Sequence, residues 1–423
     1  MKQNRFFSAV YIIGTGLAIS MVMVMAVVYH IRTAAIAPEI NRDRMLYLTR
    51  ALYVKEKGSI NGFIGTGTAK ECLFNLKTPE AVSVATHSFF SFVSGDFFAR
   101  LPGGDDPVKV SIKGTNADFW RVFRFNFIEG GAYETEEFQS GIPRIVLSRA
   151  TALRLFKRTD VTGQALLLNE VEYTVSGIVS DVSAITPAVN ADVWIPYTSL
   201  SQMQDKTEEG DVVTGYLEAY VLARTKRDFG TIQQELDEQV RRYNTMLAGG
   251  KMEMPMPFLE HDRKVLYALT NDEQADLVQV TLILLFIVGL FLLIPALNLS
   301  GLNDSRMQDR MSELGLRKAF GATRGVLFTQ VFIENLMLML PGGLVGLCVS
   351  WGLVSLLRNL LLTPDFFSMQ TGGVSLSLTS GMLVNFEVFF YAFGACLILN
   401  MLSSFIPVWR AVRKQITEAL NSQ

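Results

Sequence analysis

The segment Asn298–Gly346 reads NLSGLNDSRMQDRMSELGLRKAFGATRGVLFTQVFIENLMLMLPGGLVG, and it places a charged block between two apolar stretches. Between Arg306 and Arg324 the block carries five basic and two acidic residues. Short loops this rich in Lys and Arg stay on the cytoplasmic side of a membrane. Four residues share one helical face: Met307, Met311, Leu314 and Lys318. The sequence therefore predicts a short amphipathic helix, at about residues 304–322, that lies between two membrane spans and stops near Gly321.

Eleven consecutive residues of this block, Ser312–Ala322, resemble the coupling-helix signature of MacB/FtsX-type ABC transporter permeases. In that family the coupling helix contacts the ATP-binding subunit. An ordinary basic loop on the cytoplasmic side is the alternative interpretation. The resemblance implies six positions that contact the ATPase: Glu313, Gly315, Arg317, Lys318, Gly321 and Ala322.

The composition fits a few membrane spans together with one sizeable water-exposed domain. The chain has 423 residues, of which 49% are hydrophobic and 18% charged, and its mean hydropathy is +0.28. Residues 31–275 hold 27 Lys+Arg against 32 Asp+Glu, and the remaining residues hold 11 against 8. Neither balance suggests nucleic-acid binding. Cys72 is the one cysteine of the polar region, so no intrachain disulfide is expected there.

Four apolar stretches are long enough to cross a hydrocarbon core of about 30 Å. The first, Phe6 to Tyr29, has 24 residues without a charged side chain. That length exceeds the apolar core of a signal peptide, about 7–15 residues, so we expect a retained span within residues 1–30. The other three spans are predicted in a second membrane region, residues 276–423, at about 277–299, 327–357 and 388–408.

Small residues in two of these spans have the spacing that lets helices approach closely. Gly16 and Ser20 form such a pair in the first span. In the third span Pro341 predicts a break in the helix, and three glycines that follow it predict a close helix contact: Gly342, Gly343 and Gly346.

The third span also carries an acidic residue, Glu334, near its predicted cytoplasmic end. A charge at membrane depth is costly and usually marks function. We expect Glu334 to pair with a basic residue of the coupling segment, and a proton-relay role is the alternative.

Residues 31–275 predict an exported α+β domain. Their alternating and apolar runs are similar in order to the periplasmic core domain of MacB-type permeases, most clearly at residues 108–115, 119–125, 143–148 and 173–179. The resemblance implies an α/β lobe at about 31–105 and 212–275. A strand-rich lobe would be inserted at about 106–211.

Three features of the exported domain have residue types that occur in chemical sites. Gly58 to Lys70 is glycine-rich but lacks the spacing of a phosphate-binding loop, and a turn or hairpin tip is the favoured interpretation. A methionine cluster before His261 has soft ligands for Cu(I), although an adaptable apolar loop is favoured: Met252, Met254 and Met256. A solvated acidic turn is favoured over a Ca²⁺ site for Glu134, Glu136 and Glu137. We expect no catalytic residue, metal or cofactor in this chain.

The sequence thus predicts a membrane α-helical protein with four transmembrane helices and a large α+β periplasmic domain. The resemblance implies a permease subunit in the bacterial inner membrane, which couples ATP hydrolysis by a separate ATPase subunit to motion of the periplasmic domain. Its implied partners are that ATPase, with ATP and Mg²⁺, a second permease subunit, membrane lipid, and a periplasmic adaptor or cargo. The implied outputs are efflux, lipoprotein or peptide export, and activation of a cell-wall hydrolase. A non-transporting receptor or scaffold is the alternative.

Overall fold

A computed structural model of the chain describes residues 5–183, 186–204, 208–255, 258–264 and 320–357, with short pieces between 278 and 317 and between 390 and 398. The chain separates into two compact units. The membrane unit comprises Met1–Ile31, Asp276–Leu362 and Leu378–Gln423. The exported unit comprises Arg32–Ala275 and Thr363–Ser377.

The helices of the described residues, in chain order, are α1 Arg5–Thr33, α2 Thr66–Thr68, α3 Ser88–Ser94, α4 Phe119–Val122, α5 Thr135–Gln139, α6 Arg149–Phe156, α7 Glu209–Val213, α8 Phe229–Asn244 and α9 Arg324–Leu356. The strands are β1 Met45–Leu48, β2 Arg50–Val54, β3 Ser59–Ile64, β4 Ala81–Thr86, β5 Phe97–Arg100, β6 Val108–Val110, β7 Ile112–Thr115, β8 Phe127–Gly130, β9 Arg144–Ser148, β10 Ala165–Leu168, β11 Val171–Val179, β12 Val193–Pro196, β13 Thr214–Gly215, β14 Leu217–Leu222, β15 Lys251–Glu253 and β16 Leu259–Glu260.

The membrane unit contains the two long helices α1 and α9. By length and composition, Ile12–Ile31 of α1 and Met339–Leu356 of α9 are suited to cross a membrane. The predicted second and fourth spans fall almost entirely outside the described residues. Pro341 lies inside α9, which continues through it, so the predicted break is wrong. An apolar helix tolerates such a proline because neighbouring groups and small local adjustments satisfy the freed carbonyl.

The exported unit is built on one mixed sheet. Its main path runs β15-β2-β3-β14-β4-β7-β12-β9-β11-β10-β5-β6, and β1, β8, β13 and β16 pair beside this path. Successive side chains of a strand point to opposite faces, and β14 therefore contributes to two cores. Leu217, Ala219 and Val221 join the first core, on one face of the sheet. Tyr220 and Leu222 join the second core, on the opposite face. Both faces of the sheet are thus buried.

Helices cover the two faces unequally. Helix α8 buries Ile232, Leu236 and Tyr243 on the first face, as its helical spacing predicts. The second face carries a cluster of aromatic rings among aliphatic side chains, and short α4 contributes Phe119 and, just after it, Phe123. This unit is a mixed α/β domain.

The sheet is continuous across both predicted lobes. β5 lies before the predicted lobe boundary near residue 105, yet it pairs with β10 and β6 at the far edge of the inserted half. Strand β4, in contrast, pairs with β14 over six positions and stays with the first half. The structural boundary therefore precedes Phe97.

We define the seam as the contact between β4 and β7, where the two halves of the sheet meet. Backbone register there consists of one pair, Ala85 with Thr115. Asn116 adds three hydrogen bonds: its backbone N donates to Val84 O at 3.0 Å, its Oδ1 accepts from Val84 N at 3.0 Å, and its Nδ2 donates to Val82 O at 2.9 Å. A buried side chain thus replaces part of a missing ladder.

A buried ion pair spans the same seam. Lys113 Nζ on β7 lies 3.2 Å from Glu218 Oε1 on β14, and both side chains are buried. Burial alone would raise the pKa of Glu218. The charges of Lys113, His87 and Lys264 and a hydrogen bond with Tyr220 outweigh it and lower the pKa to about 2. The stabilisation from this pair is therefore present above the ordinary carboxyl pKa, about 4.3, and is lost as pH falls through the folded-state value.

The glycine-rich stretch Gly58–Lys70 begins in the tip of the β2–β3 hairpin, as expected, and then continues beyond it. It forms β3 and then α2, which continues into a π-helical turn at Ala69–Leu73. A Cβ on Gly65 would overlap the carbonyl oxygen of Val212, so glycine is required by close backbone approach. A Cβ on Gly67 would likewise overlap the side chain of Val212, so two glycines of this stretch allow close packing.

We predict that Asn116→Ala destabilises the exported unit by about 2–4 kcal/mol, because it leaves Val84 N and Val82 O buried without these partners. Thermal unfolding of the purified chain in detergent, followed by tryptophan fluorescence, measures this. Exposed Asn61→Ala is the matched control and should shift the midpoint little. Equal midpoints for the two variants would contradict the role of Asn116 in the seam.

Candidate functional site

The end of the predicted coupling helix is the part of it that the structure describes. Leu316 and Arg317 are helical. Phe320 N donates to Leu316 O at 3.0 Å, and Ala322 N donates to Arg317 O at 3.0 Å. Gly321 has a φ of 91°. These features are typical of a helix end closed by a glycine, so the helix stop expected at Gly321 is present. Three predicted contact residues lie outside the described residues: Glu313, Gly315 and Lys318.

A chain of side-chain hydrogen bonds joins this segment to α9. Arg317 Nη1 donates to Gln330 Oε1 at 2.6 Å, and Gln330 Nε2 donates to Glu334 Oε1 at 3.2 Å. Glu334 is half-buried. The sequence predicts that Glu334 pairs with a basic residue of the coupling segment, and the structure places Gln330 between Glu334 and Arg317. We call this chain the Arg317–Gln330–Glu334 relay.

Apolar side chains around the relay are exposed. Leu316 is 53% exposed and Phe320 84% exposed, and Val326 and Ile333 of α9 are also exposed. Val326 and Ile333 line a shallow depression that extends from Thr323, just before α9, to Glu334. An apolar surface with a few placed polar groups is suited to binding a partner.

Close packing joins α1 to α9 within the membrane unit. A Cβ on Gly342 would overlap the hydroxyl oxygen of Thr15, and one on Gly346 would lie 2.8 Å from Gly16 O and 2.9 Å from Ile19 Cβ. A Cβ on Gly16 would lie 3.2 Å from Gly342 O. Small residues on both helices thus allow backbone contact.

Gly343 faces another part of the membrane unit. A Cβ there would lie 2.5 Å from Cε2 of Phe393. The glycines after Pro341 therefore permit two separate contacts.

The described members of the methionine cluster, Met252 and Met254, contact the first core, whereas His261 lies on the other face of the sheet. Met252 is buried in the first core, where Thr68 Oγ1 lies 3.2 Å from its sulfur. Met254 packs against the same core. His261 instead bonds Tyr47, which belongs to the second core on the opposite face. Met256 lies outside the described residues.

The acidic group at Glu134 starts α5. Glu134 and Glu137 form a reciprocal capping box, and Glu137 Oε1 accepts from Arg144 Nε at 2.7 Å. Glu136 lies in the first turn of the same helix. No group of three His, Cys, Asp or Glu residues suited to a metal occurs among the described residues.

Gln330 and Thr15 were missed by reasoning from the sequence. Gln330 precedes Glu334 by four residues, a spacing that places both on one helix face, and this signal could have identified it. Thr15 carries no comparable signal, because its role appears only where Gly342 approaches it.

Two family models match the chain. The MacB-like periplasmic core domain matches residues 8–239, and the FtsX-like permease C-terminal domain matches residues 285–416. The first match alone covers more than half of the 423 residues.

Individual proteins are similar at lower identity. The ABC transporter permease YknZ of Bacillus subtilis is 23% identical over 288 residues, which are 66% of this chain and 66% of YknZ. The macrolide export ATP-binding/permease protein MacB of Agrobacterium fabrum is 24% identical over 74% of this chain and 43% of its own length. The chain thus spans less than two thirds of either relative. The solved periplasmic region of MacB from Actinobacillus actinomycetemcomitans gives a TM-score of 0.37 at 11% identity, over 54% of this chain and 94% of that one.

We predict that Gly346→Leu lowers the stability of the membrane unit by about 1–3 kcal/mol, because new bulk meets the backbone of α1. Gly352→Leu is the matched control on the same helix, since a Cβ at Gly352 meets nothing within 4 Å. Size-exclusion chromatography after heating in detergent measures how much monodisperse protein remains. Equal survival of the two variants would show that the contact at Gly346 is dispensable.

Proposed function

Because the chain belongs to the family of MacB-type, FtsX-like permeases of ABC transporters, we propose that it is the permease subunit of a bacterial ABC exporter. A separate ATPase subunit docks on the coupling segment, and closure of the ATPases moves that segment. The motion reaches the exported unit through the spans. ATP and Mg²⁺ bind the ATPase subunit.

The Arg317–Gln330–Glu334 relay is the observation that carries this proposal. A docking segment transmits force only if it is attached to a rigid element, and the relay attaches this one to the 33-residue helix α9. The exposed apolar side chains of Leu316 and Phe320 supply contact area beside it. A receptor that did not bind an ATPase would have no need for such a segment.

The proposed topology has four spans in the bacterial inner membrane. The exported unit lies in the periplasm, and the coupling segment and both termini lie in the cytoplasm. The distribution of basic residues supports this arrangement: ten Lys and Arg residues fall in the proposed inner segments, and Arg358 is the one basic residue of residues 358–387.

Two such permease subunits, identical or different, would act with two ATPase subunits. The mode of action would be mechanotransmission, in which movement of the exported unit acts on a periplasmic adaptor or cargo. The named activity of the MacB relative is macrolide export. Efflux, lipoprotein or peptide export, and activation of a cell-wall hydrolase are all compatible with this mechanism.

The topology predicts where an impermeant thiol reagent reaches. In a background without the native cysteines, Glu136→Cys should be labelled in cells with a permeable outer membrane, whereas Ser312→Cys should be labelled only after lysis. Mass spectrometry of the labelled chain gives the readout. Efficient labelling at position 312 in intact cells would overturn the proposed orientation.

We predict that Glu313→Ala, Arg317→Ala and Gly315→Leu leave insertion intact but weaken ATPase docking. A Glu–Arg pair at i, i+4 spacing on an exposed helix is worth only about 0.3–0.5 kcal/mol, whereas losing a charge that is partly dried against a partner costs about 2–5 kcal/mol. Gly315→Leu adds bulk where the partner must come close. Affinity purification from native membranes measures ATPase recovery and ATP turnover.

Two further variants separate docking from internal packing. Gln330→Leu breaks the relay but leaves the guanidinium of Arg317 able to bind the ATPase, so it should preserve recovery better than Arg317→Ala. Arg241→Ala is the matched control, because Arg241 is exposed on α8, and this variant should behave like the unmodified chain. Normal recovery and turnover in all three coupling variants would mean that the docking site lies elsewhere.

A further inference from the structure

The chain enters and leaves the exported unit on neighbouring strands. It enters after α1 and reaches β1, and it leaves through β16 and the helical residues 261–264 toward the second predicted span. β1 pairs antiparallel with β14 on one side and with β16 on the other. Displacement of the chain before β1 or after β16 therefore acts on the same pair of neighbouring strands, β1 and β16.

Four side chains bridge these strands, and we call them the stalk junction: Tyr47 on β1, Tyr220 on β14, and His261 and Lys264 after β16. The hydroxyl of Tyr47 and Nδ1 of His261 share a hydrogen bond of 3.1 Å. Tyr47 and Tyr220 meet edge to face with ring centroids 5.7 Å apart. Lys264 Nζ lies 4.0 Å from the centroid of Tyr47 and 5.5 Å from that of Tyr220. One ammonium group from the exit side thus contacts rings on the entry strand and on the central strand.

Both phenols are neutral near pH 7, and their environment raises the pKa of each further. Burial is the main cause that raises the pKa of Tyr47 and of Tyr220 well above the ordinary value, and nearby Glu39 and Glu218 raise both further. Neutral rings present intact negative faces to Lys264. A cation over an aromatic face gains more where water is excluded.

The entry side also has anchors of its own outside the four junction residues. Arg42 Nε lies 2.8 Å from Glu39 Oε2 with both side chains 3% exposed, and Arg42 Nη1 donates to Ala34 O at 2.6 Å. Asn41 Nδ2 donates to Val122 O at 3.0 Å. Before β1 begins, the chain is therefore already tied to itself and to α4.

The exit side has much less backbone pairing. Within the described residues, β16 has two register pairs, Leu46 with Glu260 and Tyr47 with Leu259. So short a strand frays readily, because few hydrogen bonds oppose its loss of order. Attachment of the exit segment to the sheet therefore depends on contacts made by side chains after β16.

We propose that the stalk junction makes the two membrane-directed ends of the exported unit move together, with Lys264 as the positioning residue. This rests on the proposed function as a mechanically driven permease. When the exit end moves, β1 and β14 are then displaced with it, and the pairing between β16 and β1 is not broken.

The test compares Lys264→Met with Lys264→Arg, which keeps a cation over the rings. Lys251→Met is the matched control, since Lys251 is exposed on β15. Tyr47→Phe removes only the hydroxyl and should give a smaller effect than Lys264→Met. Hydrogen exchange with mass spectrometry is measured on the full chain, in complex with the ATPase that it recovers from native membranes, with and without MgATP and vanadate.

In Lys264→Met we expect exchange at residues 259–264 to accelerate about 3- to 30-fold, because the variant loses the cation–aromatic contacts of Lys264 with both rings. We also expect the MgATP-dependent change elsewhere in the exported unit to fall by at least about half while ATP turnover continues. Lys264→Arg and Lys251→Met should match the unmodified chain in both measurements.

The outcomes separate this inference from the proposed function. A complex of the unmodified chain that shows no MgATP-dependent change in the exported unit would overturn the mechanical function, and the coupling role with it. A normal MgATP response in Lys264→Met, beside a normal response in the unmodified chain, would overturn the coupling role alone. Slow exchange at residues 259–264 in Lys264→Met would likewise exclude Lys264 as the positioning residue.

Discussion

Lys113 and Glu218 form a buried ion pair that reaches from β7 to β14 across the intervening strand β4, at 3.2 Å between Nζ and Oε1. Taking two charges out of water is costly, and such a pair adds little net stability over an apolar pair of the same shape. Removing one partner is different, because it leaves an uncompensated buried charge that costs about 3–5 kcal/mol. The pair therefore favours one alignment of the two half-sheets over all others. That alignment matters here because the backbone register at the seam is a single pair.

The two units meet the same need for rigidity with different chemistry. In the exported unit, water competes for hydrogen bonds, so specificity comes from polar groups that are buried, such as Asn116 and Glu218. In a bilayer the surrounding lipid is as apolar as the helices, so burying apolar side chains gives little drive to associate. Helices α1 and α9 instead gain contact by close backbone approach at Gly16 and Gly346. Losing a buried polar group therefore destabilises the exported unit, whereas adding bulk at a helix contact destabilises the membrane unit.

The sequence predicts local elements where a single period dominates. The span Phe6 to Tyr29 lies within α1, and the spacing of Ile232, Leu236 and Tyr243 correctly gives the buried face of α8. Interactions between segments that are distant in sequence have no such period and cannot be predicted from it. Lys113 and Glu218 are 105 positions apart, and nothing local distinguishes them from exposed charges. Local preference predicts a break at Pro341, but α9 continues through it, because a helix among other apolar helices can have its freed carbonyl satisfied by neighbouring groups.

Gln330 shows how a neutral side chain can hold two charged ones. Its carbonyl oxygen accepts from Arg317 and its amide nitrogen donates to Glu334, so each charge finds a partner of the required kind. A carboxylate at this position would accept from Arg317 but repel Glu334, and an ammonium would do the reverse. Asparagine has the same groups on a side chain one carbon shorter. An amide at position 330 therefore joins Arg317 to Glu334, which lies about one helical turn further along α9 than Gln330.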